Sequence, residues 1–252
     1  MEKSIVNLEN LIKFFPEEDN SFGELILLED GKRFRLNLNE EGSSWVDGLM
    51  IDPLPTPDEF EELWELHPEK LGKVMKFGKM IDTPRFQQTY GKAYNFSNME
   101  HPALPVPKPL QRYLDWANST GYAKMYGLEK FNESLMNWYE EDHYIGKHAD
   151  DEKDMRLGSG GETNVFSITF QEYTETKVGN RIFRMKPTTK RVKDPELKKK
   201  LGKERVDIEM PNGLILVMGG TCQRTHTHEV PKVTKRAKPT GRRINITFRF
   251  FK

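Results

Sequence analysis

The pattern of apolar and polar positions changes character near residue 134. Before it, part of the spacing is helical. Thr56-Pro57-Asp58-Glu59 reads as a capping box with proline at the first helical position. Phe60, Leu63 and Trp64 then fall on one side of a short helix that ends near His67-Pro68. Leu110, Tyr113, Leu114 and Ala117 predict a second helix from about Pro109, with Gly121 just beyond its end. Glu24–Leu28 and Arg33–Leu38 flank Asp30-Gly31, a hairpin signal. After residue 134 the texture is β. Strands are expected at Ser134–Tyr139, Asn164–Phe170, Arg181–Met185, Arg205–Met210, Leu214–Met218, His226–Val230 and Arg242–Phe251. Asn212-Gly213 marks a tight turn between two of them. Many short strands after helices predict an α+β chain with a mainly β core, a sandwich or jelly roll with helices packed outside.

The last of these strands is the most informative. Period two puts Ile244, Ile246, Phe248 and Phe250 on one face, and Arg243, Asn245, Thr247 and Arg249 on the other. Taken alone, this describes a half-buried edge strand with a polar solvent face. The alternative is that the polar face lines a barrel interior, where a guanidinium could grip a carboxylate through two parallel hydrogen bonds. Asn137 and Tyr139 share a face in the same way and can donate hydrogen bonds to carboxylate oxygens.

Composition narrows the class. The 252 residues suffice for one substantial core, and 36% hydrophobic with 31% charged residues describes an ordinary globular protein. Leu25-Ile26-Leu27-Leu28 is far too short to cross a bilayer, and scattered early acids argue against a leader. The single cysteine, Cys222, excludes an internal disulfide framework and fits a reducing cytoplasmic or nuclear compartment. The net charge of zero hides a split: residues 1–70 carry 18 acidic and 6 basic side chains, and the rest of the chain is correspondingly basic. A basic C-terminal part can hold phosphates; the plainer reading is two solvated surfaces that partly neutralise each other. The basic segment from Lys186 to Arg205 is open to the same two readings.

Candidate chemistry begins at His148-Ala149-Asp150. In an extended segment these two side chains project from one face and can converge on one metal. Thr225-His226-Thr227-His228 offers a third ligand, with period two placing both histidines on one side. Two histidines and one carboxylate on a β framework match the facial set of non-haem Fe(II) oxygenases, which leaves positions open for a keto acid and dioxygen. With one cysteine in the chain, structural zinc is a poor alternative.

Taken in order, Asn137-Trp138-Tyr139, His148-Ala149-Asp150-Asp151-Glu152, His228-Glu229-Val230-Pro231-Lys232 and Arg243-Ile244-Asn245-Ile246-Thr247-Phe248-Arg249 resemble the AlkB family of nucleic-acid dioxygenases. Phe77-Gly78-Lys79, Thr83-Pro84-Arg85, Thr89-Tyr90-Gly91 and Tyr94-Asn95-Phe96-Ser97 look like that family's base-gripping segment. The resemblance covers roughly 74–252. It implies a double-stranded β-helix (jelly roll) with helices packed on one sheet. The dioxygenase domain would span 71–252 with its base-gripping segment at 74–100, and 1–70 would be an acidic N-terminal extension or small subdomain. It also implies Fe(II) on His148, Asp150 and His228, the last chosen for its following Val-Pro-Lys. By similarity 2-oxoglutarate would be held by Asn137, Tyr139, Arg243, Asn245 and Arg249. Tyr94 and Phe96 would flank an extruded base, with Ser97 nearby and Glu152 and Asp151 at its polar edge. Trp138 departs from the arginine common in the family, and Phe170–Asn180 interrupts its usual pattern before Arg181-Ile182-Phe183-Arg184.

The implied activity is oxidative demethylation of DNA or RNA bases, of the N1-methyladenine and N3-methylcytosine type, by a monomeric enzyme with no membrane association. Formaldehyde and succinate would be its products. A related dioxygenase acting on another base methyl or a protein side chain is the nearest alternative. A nucleic-acid-binding protein without catalysis is the third, although it would have no need of a complete ligand set.

Overall fold

The computed structural model of the protein describes residues 8–15, 24–27, 33–76, 78–96, 99–127, 129–150, 155, 158, 162–174, 178–201, 205–234 and 239–252. The first elements are β1 (Ile12–Phe15), β2 (Glu24–Leu27), β3 (Arg33–Asn37), β4 (Ser44–Met50) and helix α1 (Pro57–Trp64). Short strands follow: β5 (Lys73–Lys76), β6 (Lys79–Asp82), β7 (Phe86–Gly91), β8 (Tyr94–Phe96), β9 (Met99–His101) and β10 (Ala103–Leu104). Helix α2 (Lys108–Ser119) leads into β11 (Glu133–Tyr139), β12 (Ile145–His148), β13 (Val165–Gln171) and β14 (Arg181–Pro187). The chain closes with α3 (Pro195–Lys199), β15 (Arg205–Met210), β16 (Leu214–Gly220), α4 (Cys222–Thr225), β17 (His226–Val230) and β18 (Arg243–Arg249).

These strands form a nine-stranded sheet, β10-β7-β11-β18-β13-β16-β4-β3-β2, and a five-stranded sheet, β1-β15-β14-β17-β12. β5 pairs with β6 and β8 with β9 as separate hairpins. This is the jelly roll expected, with helices on one sheet. The outward face of the large sheet carries Met136, Trp138, Phe166, Ile168, Phe170, Ile244, Ile246 and Phe248, packed with Phe60, Leu63, Leu110, Tyr113 and Ala117 of α1 and α2. A second apolar cluster fills part of the space between the sheets, including Phe34, Leu36, Val46, Leu216, Phe183, Met185 and Ile208.

Local chemistry explains the helix ends. Thr56 Oγ1 accepts from the Glu59 amide, and the Glu59 carboxylate accepts from the Thr56 amide at 2.7 Å, closing the capping box. α2 stops at Thr120, and Gly121 takes φ +84 beyond it. The Asn212-Gly213 turn is also present, with Gly213 at φ +84, but it joins no hairpin. The strands on either side belong to different sheets, so this turn carries the chain across the sandwich.

Of the two readings of its alternation, β18 takes the interior one: it lies between β11 and β13, and all seven of its residues are buried, so both faces meet protein. Described residues within 1–70 also join the sheets and their cover. β1 pairs with β15, β4 pairs with β16 along Leu214↔Met50 to Gly220↔Ser44, and α1 covers the large sheet. The charge split is partly consumed inside the fold, since Glu61 meets Arg242 at 2.6 Å, Glu41 pairs with Lys200, and Glu59 with Arg112. Lys199 pairs with Glu196 on its own helix, so the Lys186–Arg205 segment behaves in part as a charge-balanced surface. Among the described residues no helix is long and apolar enough to cross a membrane.

Trp45 of β4 shows how deeply the first 70 residues are woven in. It is 4% exposed, lies 6.5 Å from the Tyr122 ring, and sits against Gly219, where a Cβ would come within 2.1 Å of the indole. Trp45→Ala should lower stability in urea by about 3–5 kcal/mol. Were this segment an independent extension, the main unfolding transition would be unmoved by the change.

Candidate metal centre

β12 ends at His148, which sits opposite His228 of β17 in an antiparallel pair. The two ring centroids are 4.2 Å apart. Asp150 completes the group: Oδ1 is 4.0 Å from His148 Nε2, and Oδ2 is 3.4 Å from His228 Nε2. One ligand atom from each of the three lies within 4.8 Å of the others. His148 Nδ1 is 2.9 Å from the Gly146 carbonyl; an Nδ1–H donating there leaves the Nε2 lone pair facing the centre. The Asp150 amide donates to Gln223 Oε1 at 2.8 Å, and Phe183 stacks on His228 at 5.2 Å.

Geometry separates the two histidines that spacing left together. His226 is buried beside Pro187, and its Nδ1 lies 2.8 Å from Thr225 Oγ1. That hydroxyl continues to Ser44 Oγ at 2.7 Å and from there to Thr221 Oγ1 at 2.6 Å, so His226 is tied to a hydroxyl chain away from Asp150.

Asn137, Tyr139, Arg243, Asn245 and Arg249 line the same cleft as His148, Asp150 and His228, together with apolar Leu135, Phe183, Met218 and Val230. Their partners differ. Arg249 Nη2 donates to Asp150 Oδ1 at 2.6 Å, and Nη1 lies 3.7 Å from Glu133 Oε1, all three side chains being buried. One oxygen of Asp150 is therefore held by a guanidinium while the other faces His228. Asn137 Oδ1 accepts from Arg85 Nε at 2.7 Å, and Asn245 Nδ2 donates to Ser167 Oγ at 2.7 Å and the Ile168 carbonyl at 2.9 Å. Arg243 is 3% exposed with its Cζ 4.8 Å from the Tyr139 ring centroid, and Nη2 donates to Thr169 Oγ1 at 3.0 Å. Its Nε and Nη1 are buried with no hydrogen-bond partner among the described residues.

The electrostatics follow from this packing. Burial pushes the Asp150 carboxyl up, and Arg249, then His228 and His148, more than reverse that, holding it well below the usual carboxylate range. Burial, then His228, push His148 down, so its imidazole is neutral near pH 7 and able to bind a metal. Burial also lowers Arg243 to about 10.

Several contributors carried no signal in the sequence. Gln223 comes from the four-residue helix α4, Glu133 sits opposite Arg249 across a strand pair, and Phe183 belongs to the segment where the family pattern breaks. Tyr94 and Phe96 lie on β8 within a hairpin. Their side chains, and Ser97, Asp151 and Glu152, lie outside the described residues.

Residues 61–249 match the model of the 2OG-Fe(II) oxygenase superfamily. The chain is 31% identical over 197 residues to DNA oxidative demethylase ALKBH2 of Bos taurus, covering 76% of this chain and 62% of that protein. It is 32% identical to the ALKBH2 of Mus musculus, covering 76% of this chain and 72% of that one. The match thus spans less than two thirds of the bovine relative's length. A solved structure described as the structure of OsALKBH1 aligns with 81% of this chain and 97% of its own, at 17% identity and a TM-score of 0.44.

Burial lowers His226 from 6.5 to about 3. The unfolded chain therefore takes up a proton first as pH falls, and the stability this neutral histidine provides is lost from about pH 6.5 down to 3. Urea unfolding of the metal-free protein at pH 7 and pH 5 should show wild type losing about 2 kcal/mol more than His226→Gln. Equal losses would mean that the imidazole is hydrated.

Proposed function

Because the chain belongs to the AlkB branch of the 2OG-Fe(II) oxygenase superfamily, we propose that it is an Fe(II)- and 2-oxoglutarate-dependent dioxygenase that removes alkyl groups from DNA bases. The substrates are of the N1-methyladenine and N3-methylcytosine type, and the relatives' description as DNA oxidative demethylases favours DNA over RNA. The observation that carries this reading is the meeting of His148, Asp150 and His228 in a cleft that also holds a buried guanidinium with unused donors.

The residues fit the groups they would hold. Two imidazoles and a carboxylate, His148, His228 and Asp150, would hold Fe(II), and three protein ligands would leave room for the keto acid and dioxygen. Arg243 Nε and Nη1 are buried donors without a partner among the described residues, which a distal carboxylate would meet. Once bound, iron with 2-oxoglutarate and dioxygen supplies an oxidant that hydroxylates an N-methyl group, which then leaves as formaldehyde while the keto acid becomes succinate and carbon dioxide.

The chain's own contribution is position and dryness. Arg249 keeps Asp150 ionised and turns Oδ2 toward His228, so its first duty is to the metal ligand rather than to the keto acid. Asn137, Tyr139 and Asn245 shape the cosubstrate side of the cleft, and Leu135, Phe183 and Val230 exclude water. Tyr94 and Phe96 would flank the extruded base, with Ser97, Asp151 and Glu152 at its edge. The β5–β6 hairpin exposes Met75, Met80 and Ile81, with Lys79 nearer its turn and Lys73 paired to Asp82 at 3.0 Å, an apolar patch beside a cation that suits a nucleic-acid surface. A repair enzyme of this kind works in the nuclear or cytoplasmic compartment that holds its DNA.

The test is formaldehyde and succinate release from methylated single- and double-stranded DNA and RNA. Wild type should release both products with DNA, and His148→Ala neither. Arg243→Met should raise the 2-oxoglutarate requirement by roughly ten- to a hundredfold without changing metal affinity, whereas Arg249→Met should weaken metal binding as well. Succinate without formaldehyde on every oligonucleotide would point to a protein or other substrate. No succinate under any condition would leave a binding protein.

A further inference from the structure

Arg181 opens β14 and shares its buried, inward-facing side with Phe183 and Met185. It is 2% exposed. Nη2 donates to the carbonyls of His143 at 2.7 Å and Pro231 at 3.1 Å, which pins the side chain in place. Nε and Nη1 are buried with no hydrogen-bond partner among the described residues. The strand partner of Arg181 is Met210, whose sulfur lies 3.4 Å from Arg243 Nη2. Arg243 and Phe183, the latter on the same face of β14 as Arg181, line the cleft, and Arg181 lies next to that wall through Met210, with Tyr139 within electrostatic reach of both guanidiniums.

No carboxylate among the described residues forms an ion pair with either arginine. Burying one guanidinium without a counter-charge is costly, and two close together disfavour each other further. Arg249 shows the contrast, since it is matched by Asp150 and Glu133. A carboxylate offers about four acceptor positions on two oxygens, so it can accept from both side chains at once.

Resting on the keto-acid reading above, we propose that Arg181 is the second arm of an anion clamp, gripping with Arg243 the distal carboxylate of the cosubstrate and setting a preference for dicarboxylate over monocarboxylate keto acids. It is a specificity residue on the small sheet, on the side of the cavity opposite β18. It acts at the end of the keto acid away from the metal.

Calorimetric titration of Mn(II)-loaded protein under argon, with 2-oxoglutarate and with 2-oxopentanoate, tests this. 2-Oxopentanoate keeps the chelating end and lacks the distal carboxylate. Arg181→Met should weaken 2-oxoglutarate about tenfold or more and leave 2-oxopentanoate within about twofold, with Mn(II) affinity unchanged. Equal weakening of both ligands would make Arg181 merely structural and overturn the proposal, as would no weakening of either. Should the methionine variant fail to fold, Arg181→Lys, which keeps the charge and loses the fork, is read by the same ratio. If wild type binds neither acid, the keto-acid assignment itself has failed. If wild type binds 2-oxoglutarate and the variant binds it equally well, only the clamp has failed.

Discussion

Three guanidiniums buried inside a β sandwich constrain what this molecule can be. A cation away from water must be matched by an anion or accept a large desolvation cost. Arg249 is matched from within, by Asp150 at 2.6 Å and Glu133 at 3.7 Å, and that pairing orients the carboxylate that meets His228. Arg243 and Arg181 have backbone, hydroxyl and sulfur contacts instead, and these carry no counter-charge. The cleft wall thus carries one balanced cation, Arg249 beside Asp150, and one without a counter-charge among the described residues, Arg243, with Arg181 close to it. On the reading proposed above, a small dicarboxylate reaching from the His148, Asp150 and His228 group to Arg243 would answer that polarity, and a neutral ligand would not.

The fold is what makes such a cavity tolerable. β18 is central in the large sheet, so its backbone is bonded on both sides to β11 and β13 and its side chains have nowhere to relax. Ile244, Ile246 and Phe248 anchor one face under α1 and α2, and this forces Arg243, Asn245, Thr247 and Arg249 inward. Burial of the apolar face, worth about 1.5–3 kcal/mol for each large side chain, offsets the cost of the polar one. The acidic first 70 residues contribute twice, once through β1 and β4 within the sheets and once through Glu61 and Glu41 against Arg242 and Lys200.

What could be seen in the sequence was whatever depends on neighbours in the chain. The capping box at Thr56, the helical spacing of α2 and the alternation of β18 are local, and each appears with small changes at its ends. His148-Ala149-Asp150 likewise marked a site, because an extended backbone turns both side chains one way. Long-range pairing was not visible. Besides its neighbour β3, β4 pairs with a strand about 170 residues on, and nothing in Ser44–Met50 names β16. For the same reason the edge or central position of β18, the hold of Gln223 on Asp150, and the different duties of Arg243 and Arg249 emerged only from the packed sheets. His226 and His228 share a side of one strand, and a seryl–threonyl hydroxyl chain, not spacing, removes the first from the centre.

The departures from the family pattern sort by the same alternation. Trp138 replaces an arginine, but it lies on the helix side of β11, where its Nε1 donates to the Leu63 carbonyl at 2.8 Å and its ring is fully buried. A change of that parity alters how α1 seats on the sheet and leaves the cavity wall, Asn137 and Tyr139, in place. Arg181 and Phe183 have the opposite parity and face inward, whereas Arg184, between Phe183 and the next inward residue, pairs with Asp207 through two bonds of 2.7 Å. Among the interrupted residues, then, only those of inward parity can change what the site accepts. An inward substitution that adds a charge changes ligand choice far more than one that exchanges apolar groups, because in a dry cavity a charge cannot be screened and must be met.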